Sequence, residues 1–456
     1  MSANNAAPLA RRLKNRHIQM IALGGAIGTG LFYGSAASIQ LVGPGIILSY
    51  LMGGAVIYLI MRMLGEMSAQ EPVSGAFSYF AFKYWGEFPG FLAGWNYWML
   101  YVLVSMAELT VVGIYVAYWF PDIPSWMTSL AVLMIVTVIN LKNVRFFGEM
   151  EFWFAIIKVA AVIGMIVLGI VLIVLDLGGP TVSVSNLWEY GGFLPHGAWG
   201  LVLSLAVVMF SFGGTELIGI TAGEAEEPRK SIPRAIKQVM WRILLFYIGS
   251  LAVLMIIFPW NKIGMEGSPF VTIFSKLGIG SAANILNFVV LSAAISVYNS
   301  AIYSNGRMLF SLAEQGNAPR IFMKVSTNQV PYVAILFSSA CTLGAVVLNY
   351  LIPGSAFMQV MAIAIAAAVI TWGLIILMHL RFRRMHAARI GELIFPALFY
   401  PFANYFCIGF MMVVMVAMTQ LPDMKMAVFA LPIWIGVLFV SYKLKTRTAA
   451  LQREAL

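Results

Sequence analysis

Apolar residues run in stretches of about 20 from Ile18 to Val440 with short polar breaks between them, and about 20 residues of helix are what ~30 Å of hydrocarbon requires. The pattern predicts spans over 18–41, 44–66, 90–119, 125–140, 152–175, 199–222, 240–259, 282–310, 332–352, 355–379, 398–420 and 426–443. A spanning strand would alternate apolar and polar residues over about ten positions. Phe154 to Leu175 is apolar on every face, and in lipid a helix satisfies its own backbone polar groups. The expectation is an all-α membrane protein with about twelve transmembrane helices, and a barrel is excluded.

Two of these spans are broken by glycine in comparable places: the first at Gly28-Thr29-Gly30, the sixth at Gly213-Gly214. The breaks lie five helices apart. An odd offset sends the second set of five into the membrane from the opposite side, so an inverted repeat is expected, with its broken helices meeting near the midplane. The alternative is that glycine here only packs helices closely. The predicted organisation is an N-terminal segment 1–17, a first five-helix repeat over 18–175, a second over 199–379, two further helices in 398–443 and a C-terminal segment 444–456. The loops Glu66 to Phe88 and Gly223 to Lys237 are amphipathic, either gates or solvated connectors, and Asp176 to Trp199 reads as a covering loop.

Composition agrees: 61% of residues are hydrophobic and 10% charged, with mean hydropathy +0.89, against about a quarter charged in soluble chains. The formal charge of +10 raises nucleic-acid binding as a possibility, and the placement of the basic residues decides against it. They cluster in alternate loops, Arg11 to Arg16, Lys142 with Arg145, Arg229 to Arg242, Arg320 with Lys324, Arg381 to Arg389, and Lys443 to Arg453, with only Lys262, Lys276 and Lys425 in the intervening set. By the positive-inside rule both termini are cytoplasmic, which requires an even number of spans. Cys341 and Cys407 sit in apolar spans and the His residues have no ligand spacing, so neither disulfide nor zinc is expected, and no cofactor. The first apolar segment is long and lacks a small-residue cleavage site, so it reads as a retained helix.

A broken helix offers chemistry in a bilayer. Beyond Gly28-Thr29-Gly30 a half-helix begins whose first N–H groups lack partners, a place for a carboxylate. Carbonyls left near Ala26 and Ile27, and near Phe210 and Ser211 in the sixth span, would accept from an ammonium group. Together the breaks suit an α-amino acid. Gly25 to Gly30 also looks like a dinucleotide loop, but no strand precedes it.

Ionisable residues within spans are costly and need a reason. Glu108, deep in span three, is either functional or a buried acid bonded to a neighbouring helix. Glu216 follows the sixth-span break, as part of the site or as a cap. Lys158 lies about seven residues past Glu151, roughly 10 Å from the cytoplasmic end of its helix, where it either snorkels to water or, desolvated, couples protons. Ser296, Tyr298, Asn299 and Ser300 in span eight pair with Lys158, line the cavity, or bond helix to helix. Among the aromatic residues, Trp95, Tyr97, Trp98 and Tyr101 are expected at the lipid or its interface. Phe212, within the sixth-span break, is placed to close over a bound side chain.

Over nearly its whole length the chain resembles bacterial amino acid permeases of the amino acid–polyamine–organocation superfamily. The motifs are LKNRHIQMIALGGAIGTGLF from Leu13, GWNYWMLYVLVSMAELT from Gly94, FGEMEFWFAIIKV from Phe147, FSFGGTELIGITAGEAEEP from Phe210 and YNSAIYSNGRMLFSLAEQGNAP from Tyr298. Among subtypes it is most similar to general aromatic and phenylalanine-preferring permeases. The resemblance implies a leucine-transporter-like fold of two inverted repeats plus two helices, alternating access and uptake of aromatic amino acids with protons across the bacterial inner membrane. It further implies carboxylate binding at Gly28, Thr29 and Gly30, amine binding at Phe210 to Gly214, and a proton-coupling role for Lys158 at a position where other members of the fold hold sodium. Side-chain selectivity is expected from spans three, six, eight and ten, with Met106 and Glu108 in span three. Thr215 stands where leucine, and Gly223 where alanine, would be expected in a general aromatic permease, which keeps proline, histidine, GABA and lysine permeases open as alternatives. A channel would need a continuous polar lining. An enzyme or sensor would need a soluble module, for which the loops are too short.

Overall fold

The computed structural model describes residues 27–73, 76–142, 144–177, 179–221, 227–264, 267–352 and 354–454. Among the described residues the regular elements are helical and no strand occurs. The first half contains α1 (Thr29–Phe32), α2 (Gly34–Val42), α3 (Ile46–Gln70), α4 (Ala76–Trp85), α5 (Glu87–Ala117), α6 (Ser125–Lys142) and α7 (Val144–Val174). After a connector come α8 (Gly197–Val208), α9 (Leu217–Thr221), α10 (Pro228–Ile257), α11 (Pro269–Lys276), α12 (Gly280–Glu314), α13 (Tyr332–Leu351) and α14 (Ala356–Met385). The chain closes with α15 (Phe402–Gln420) and α16 (Pro422–Glu454).

Among the described residues, 11 segments are long and apolar enough to cross a membrane. The expected count differs at the start, where 18–26 lie outside the described residues and the rest of the first span is joined to the second as Gly34–Gln70. As one straight helix that stretch would run about 55 Å, far beyond ~30 Å of hydrocarbon. The 3-10 turn Gly43–Gly45 divides it, with Gly43 at φ 62°.

The centre of the bundle is α12 on α5, with α14 also packed on α5 and α10 against α3. Buried positions cover most faces of α12, whereas α7 and α16 keep large apolar side chains exposed, as helices facing hydrocarbon do. Centrality corrects one expectation: Tyr97, Trp98 and Tyr101 on α5 are buried and Trp95 is half-buried, with neighbours where lipid was anticipated. Polar side chains bond helix to helix at this depth. Asn96 Nδ2 donates to Ala367 O at 2.9 Å and Thr371 Oγ1 at 3.0 Å, and Asn349 Nδ2 to Ser129 Oγ at 2.8 Å.

The expected loop from Glu66 to Phe88 is instead mostly helix, because α3 continues to Gln70 and α4 follows. Glu66 is buried. Its Oε1 stands 2.6 Å from Arg383 Nε, and its Oε2 accepts from Arg383 Nη2 at 3.0 Å and Ala397 N at 2.5 Å and faces His379 Nε2 at 3.0 Å. One carboxylate thus joins α3, α14 and the connector to α15. In the second amphipathic loop, 222–226 lie outside the described residues and α10 starts at Pro228. The covering segment packs down on the bundle: Asn186 Nδ2 donates to Ile256 O at 2.8 Å, and Trp260 Nε1 to Tyr190 O at 3.1 Å.

Candidate functional site

Two helix interruptions face each other. Gly28 is extended (φ −133°), its carbonyl accepts from the N–H groups of Leu31 and Phe32, and Tyr33 separates the end of α1 from the start of α2. In the other interruption α8 stops at Val208, a 3-10 turn spans Met209–Phe212, and Gly214 takes φ 96°, a conformation that favours glycine. The two backbones touch: a Cβ on Gly30 would lie 2.6 Å from Ser211 Cα. Ser211 is held from both ends, its Oγ 2.8 Å from Tyr50 Oη and its carbonyl accepting from Tyr247 Oη at 2.9 Å.

Glu108 of α5 reaches this junction. Its Oε1 accepts from Thr29 Oγ1 at 2.8 Å, and a Cβ on Gly28 would meet the same oxygen at 3.4 Å. Around them lies a cavity of about 30 Å³, walled by Gly28 to Gly30, Phe210, Ser211 and Gly213, by the stripe Leu100, Val104, Glu108, and by the stripe Ala364, Ala368, Trp372. A second cavity of similar size borders it across Val104 and Gly213 and carries Glu216, Tyr101 and Ser300. Glu216 Oε1 accepts from Tyr101 Oη at 3.2 Å and from the Gly214 N–H at 3.3 Å, so it caps the break and faces a cavity at once. As lined by the described residues, neither space is large enough for an amino acid.

Several expected residues sit elsewhere. Phe212 points away from the cavity into an aromatic cluster with Tyr50 and Tyr247, ring centroids 5.9 and 5.7 Å apart, and Phe210 takes the wall position instead. Phe210 and Phe212 stand two residues apart in the 3-10 turn and so on different faces, and the position of the break alone does not say which of them meets the cavity. Phe210 meets Phe357, which meets Tyr33, which meets Tyr115, at centroid distances of 6.0, 4.8 and 6.5 Å. Met106 is two residues from Val104 and so on another face of α5, where it packs against Gly344. Thr215 spends its hydroxyl on Phe212 O at 2.9 Å and lines neither cavity. Ile27 is fully buried outside both walls, and Ala26 lies outside the described residues.

Lys158 Nζ donates to Ser296 Oγ at 2.8 Å, and Ser296 Oγ donates to Glu151 Oε1 at 2.7 Å, all three side chains fully buried. Snorkelling fails here because Glu151, taken to mark the watery end of the helix, is itself in the core. Asn299 pairs with Asn140 at 2.8 Å instead of with Lys158, and Tyr298 with Thr342 at 3.4 Å. Sequence reasoning missed Glu151, Tyr101, Trp372 and the apolar wall. The wall was signalled by the i, i+4 spacing of Leu100 and Val104 with Glu108; nothing local marks Ala364 and Ala368.

The family model for amino acid permeases matches residues 17–454. The aromatic amino acid transport protein AroP of Salmonella typhimurium (strain SL1344) is 56% identical over 448 residues, covering 98% of each chain. AroP of Escherichia coli (strain K12) is 55% identical over 441 residues, covering 97% of this chain and 96% of that one. An uncharacterised amino acid permease of Bacillus subtilis (strain 168), YtnA, is 47% identical over 437 residues, covering 95% and 94%.

Proposed function

This chain belongs to the amino acid permease family, and from that premise we propose that it carries aromatic amino acids into the bacterial cell with protons, by alternating access across the inner membrane. The observation that carries the reading is the junction at Gly30 and Ser211, where polar backbone and apolar wall meet in one cavity. The substrate's carboxylate binds the backbone of Gly28 to Gly30, and its ammonium lies towards the Phe210 and Ser211 carbonyls and Glu108. Once the walls part, the ring lies between Leu100, Val104 and Val297 on one side and Ala364, Ile365 and Ala368 on the other, the residues that line the present cavity. The alanines support an aromatic substrate, because small side chains leave the width a ring needs. The ladder of Phe210, Phe357, Tyr33 and Tyr115 is the outer gate.

The repeats run over 18–175 and 199–379 with opposite orientation, 398–443 forms the two added helices, and both termini face the cytoplasm. Protons couple at Lys158 through Ser296. Glu108 and Glu151 are two buried carboxyl groups near one ammonium, so the charge of the interior depends on how many protons it holds. Asn299 and Ser300 are assigned to packing and to the Glu216 cavity respectively.

Labelled phenylalanine uptake into proteoliposomes under an inward proton gradient tests the reading. Accumulation competed by tyrosine and tryptophan, and not by proline, histidine, lysine or GABA, is the expected result. No accumulation of phenylalanine, or equal competition by all, would show the aromatic assignment to be wrong.

A further inference from the structure

The polar chain from Lys158 runs on past Ser296. The serine hydroxyl accepts from the lysine and donates its own hydrogen to Glu151, so the three groups form one donor–acceptor line with a single direction. Glu151 lies about seven residues before Lys158, ~10 Å nearer the N-terminal end of α7, and α12 supplies the hydroxyl that spans the gap. Among the described residues its second oxygen, Oε2, has no hydrogen-bond partner. A fully buried carboxyl group at this depth, with one oxygen wired to a lysine through Ser296 and the hydroxyl of Ser300 beside it, is a place for a proton to stop and leave.

We propose that Glu151 is the inner proton station of the coupling site, receiving through Ser296 the proton held at Lys158 and releasing it towards the cytoplasm. This rests on the reading of Lys158 as the coupling residue and deepens it. In the transfer an Nζ–H bond of the ammonium breaks and its proton joins Ser296 Oγ, while the proton of that hydroxyl moves to Glu151 Oε1. Lys158 is left a neutral amine with its lone pair, Ser296 is again a hydroxyl, and Glu151 is a neutral acid; no further reactant is consumed. Glu151 on the same helix and Glu108 on α5 are the carboxyl groups near enough to act on the Lys158 charge, and Ser296 and Ser300 are the hydroxyls beside Glu151.

The full chain in proteoliposomes gives the test, with Glu151→Gln, Ser296→Ala, Ser296→Thr and Lys158→Ala compared with the unmodified protein. Four readouts are needed: phenylalanine accumulation under a proton gradient, phenylalanine exchange without one, the pH profile of exchange, and proton entry reported by a trapped dye. Glu151→Gln and Ser296→Ala should retain most exchange, shift its pH profile, and lower accumulation and proton entry by about tenfold or more, with Ser296→Thr close to unmodified. If Lys158→Ala loses accumulation while Glu151→Gln keeps it with an unshifted pH profile, the station is wrong and the Lys158 reading survives. If Lys158→Ala accumulates normally, both fall. If Glu151→Gln also loses exchange and Glu151→Asp does not restore it, Glu151 holds the fold and the inference is overturned.

Discussion

At Gly30 a single hydrogen atom separates contact from collision. The position a Cβ would take is 2.6 Å from a backbone atom of Ser211, which has no rotamer by which to retreat. Gly30→Ala should therefore abolish phenylalanine uptake while the protein still reaches the membrane. Gly373→Ala is the control, since a Cβ there, inside α14 and away from the cavity lining, meets nothing within 4 Å; it should retain most activity. Uptake by the two variants at equal surface expression separates them, and equal activity would refute the close approach as a requirement. On the opposite wall, Ala368→Leu fills the slot proposed for the ring and should reduce phenylalanine uptake by about tenfold or more, sparing smaller substrates if any are carried. The glycines were legible because helix interruption in a bilayer needs them. The alanines were not, because their meaning is the space they leave facing another helix.

The helices were legible wherever apolar length alone defined them: the expected 332–352 is Tyr332–Leu351, and 90–119 is Glu87–Ala117. Where polar residues are buried, hydropathy stops too early. Glu66 and Glu151 looked like the ends of spans, and each is enclosed by neighbouring helices that supply its partners. The Glu66 knot gives the element-scale prediction. Glu66→Ala leaves Arg383 and His379 buried beside no carboxylate, which should cost about 3–5 kcal/mol and lower the thermal midpoint of the detergent-solubilised protein. Adding Arg383→Met should recover part of that loss. A double variant no more stable than Glu66→Ala would mean that the three helices are held by packing and not by the charges.

For the molecule as a whole, the small size of the cavities implies that transport requires the walls between α5, α14 and the two breaks to part. Substitution of Tyr33 by alanine should widen the outer side, raising the reactivity of a cysteine placed at Ala364 towards an impermeant thiol reagent; unchanged reactivity would remove the aromatic ladder as a gate. Membrane insertion, helical class, the family and the two breaks were determined by the sequence, because each depends on local composition: the length of an apolar run, the absence of side chains at a glycine, a motif in line. Which aromatic residue lines the cavity, which acid is buried and which hydroxyl bridges Lys158 to Glu151 were decided only by tertiary structure. Those depend on the rotation of each helix about its axis after a break and on what the neighbouring helix presents across the gap, and neither is encoded within a single span.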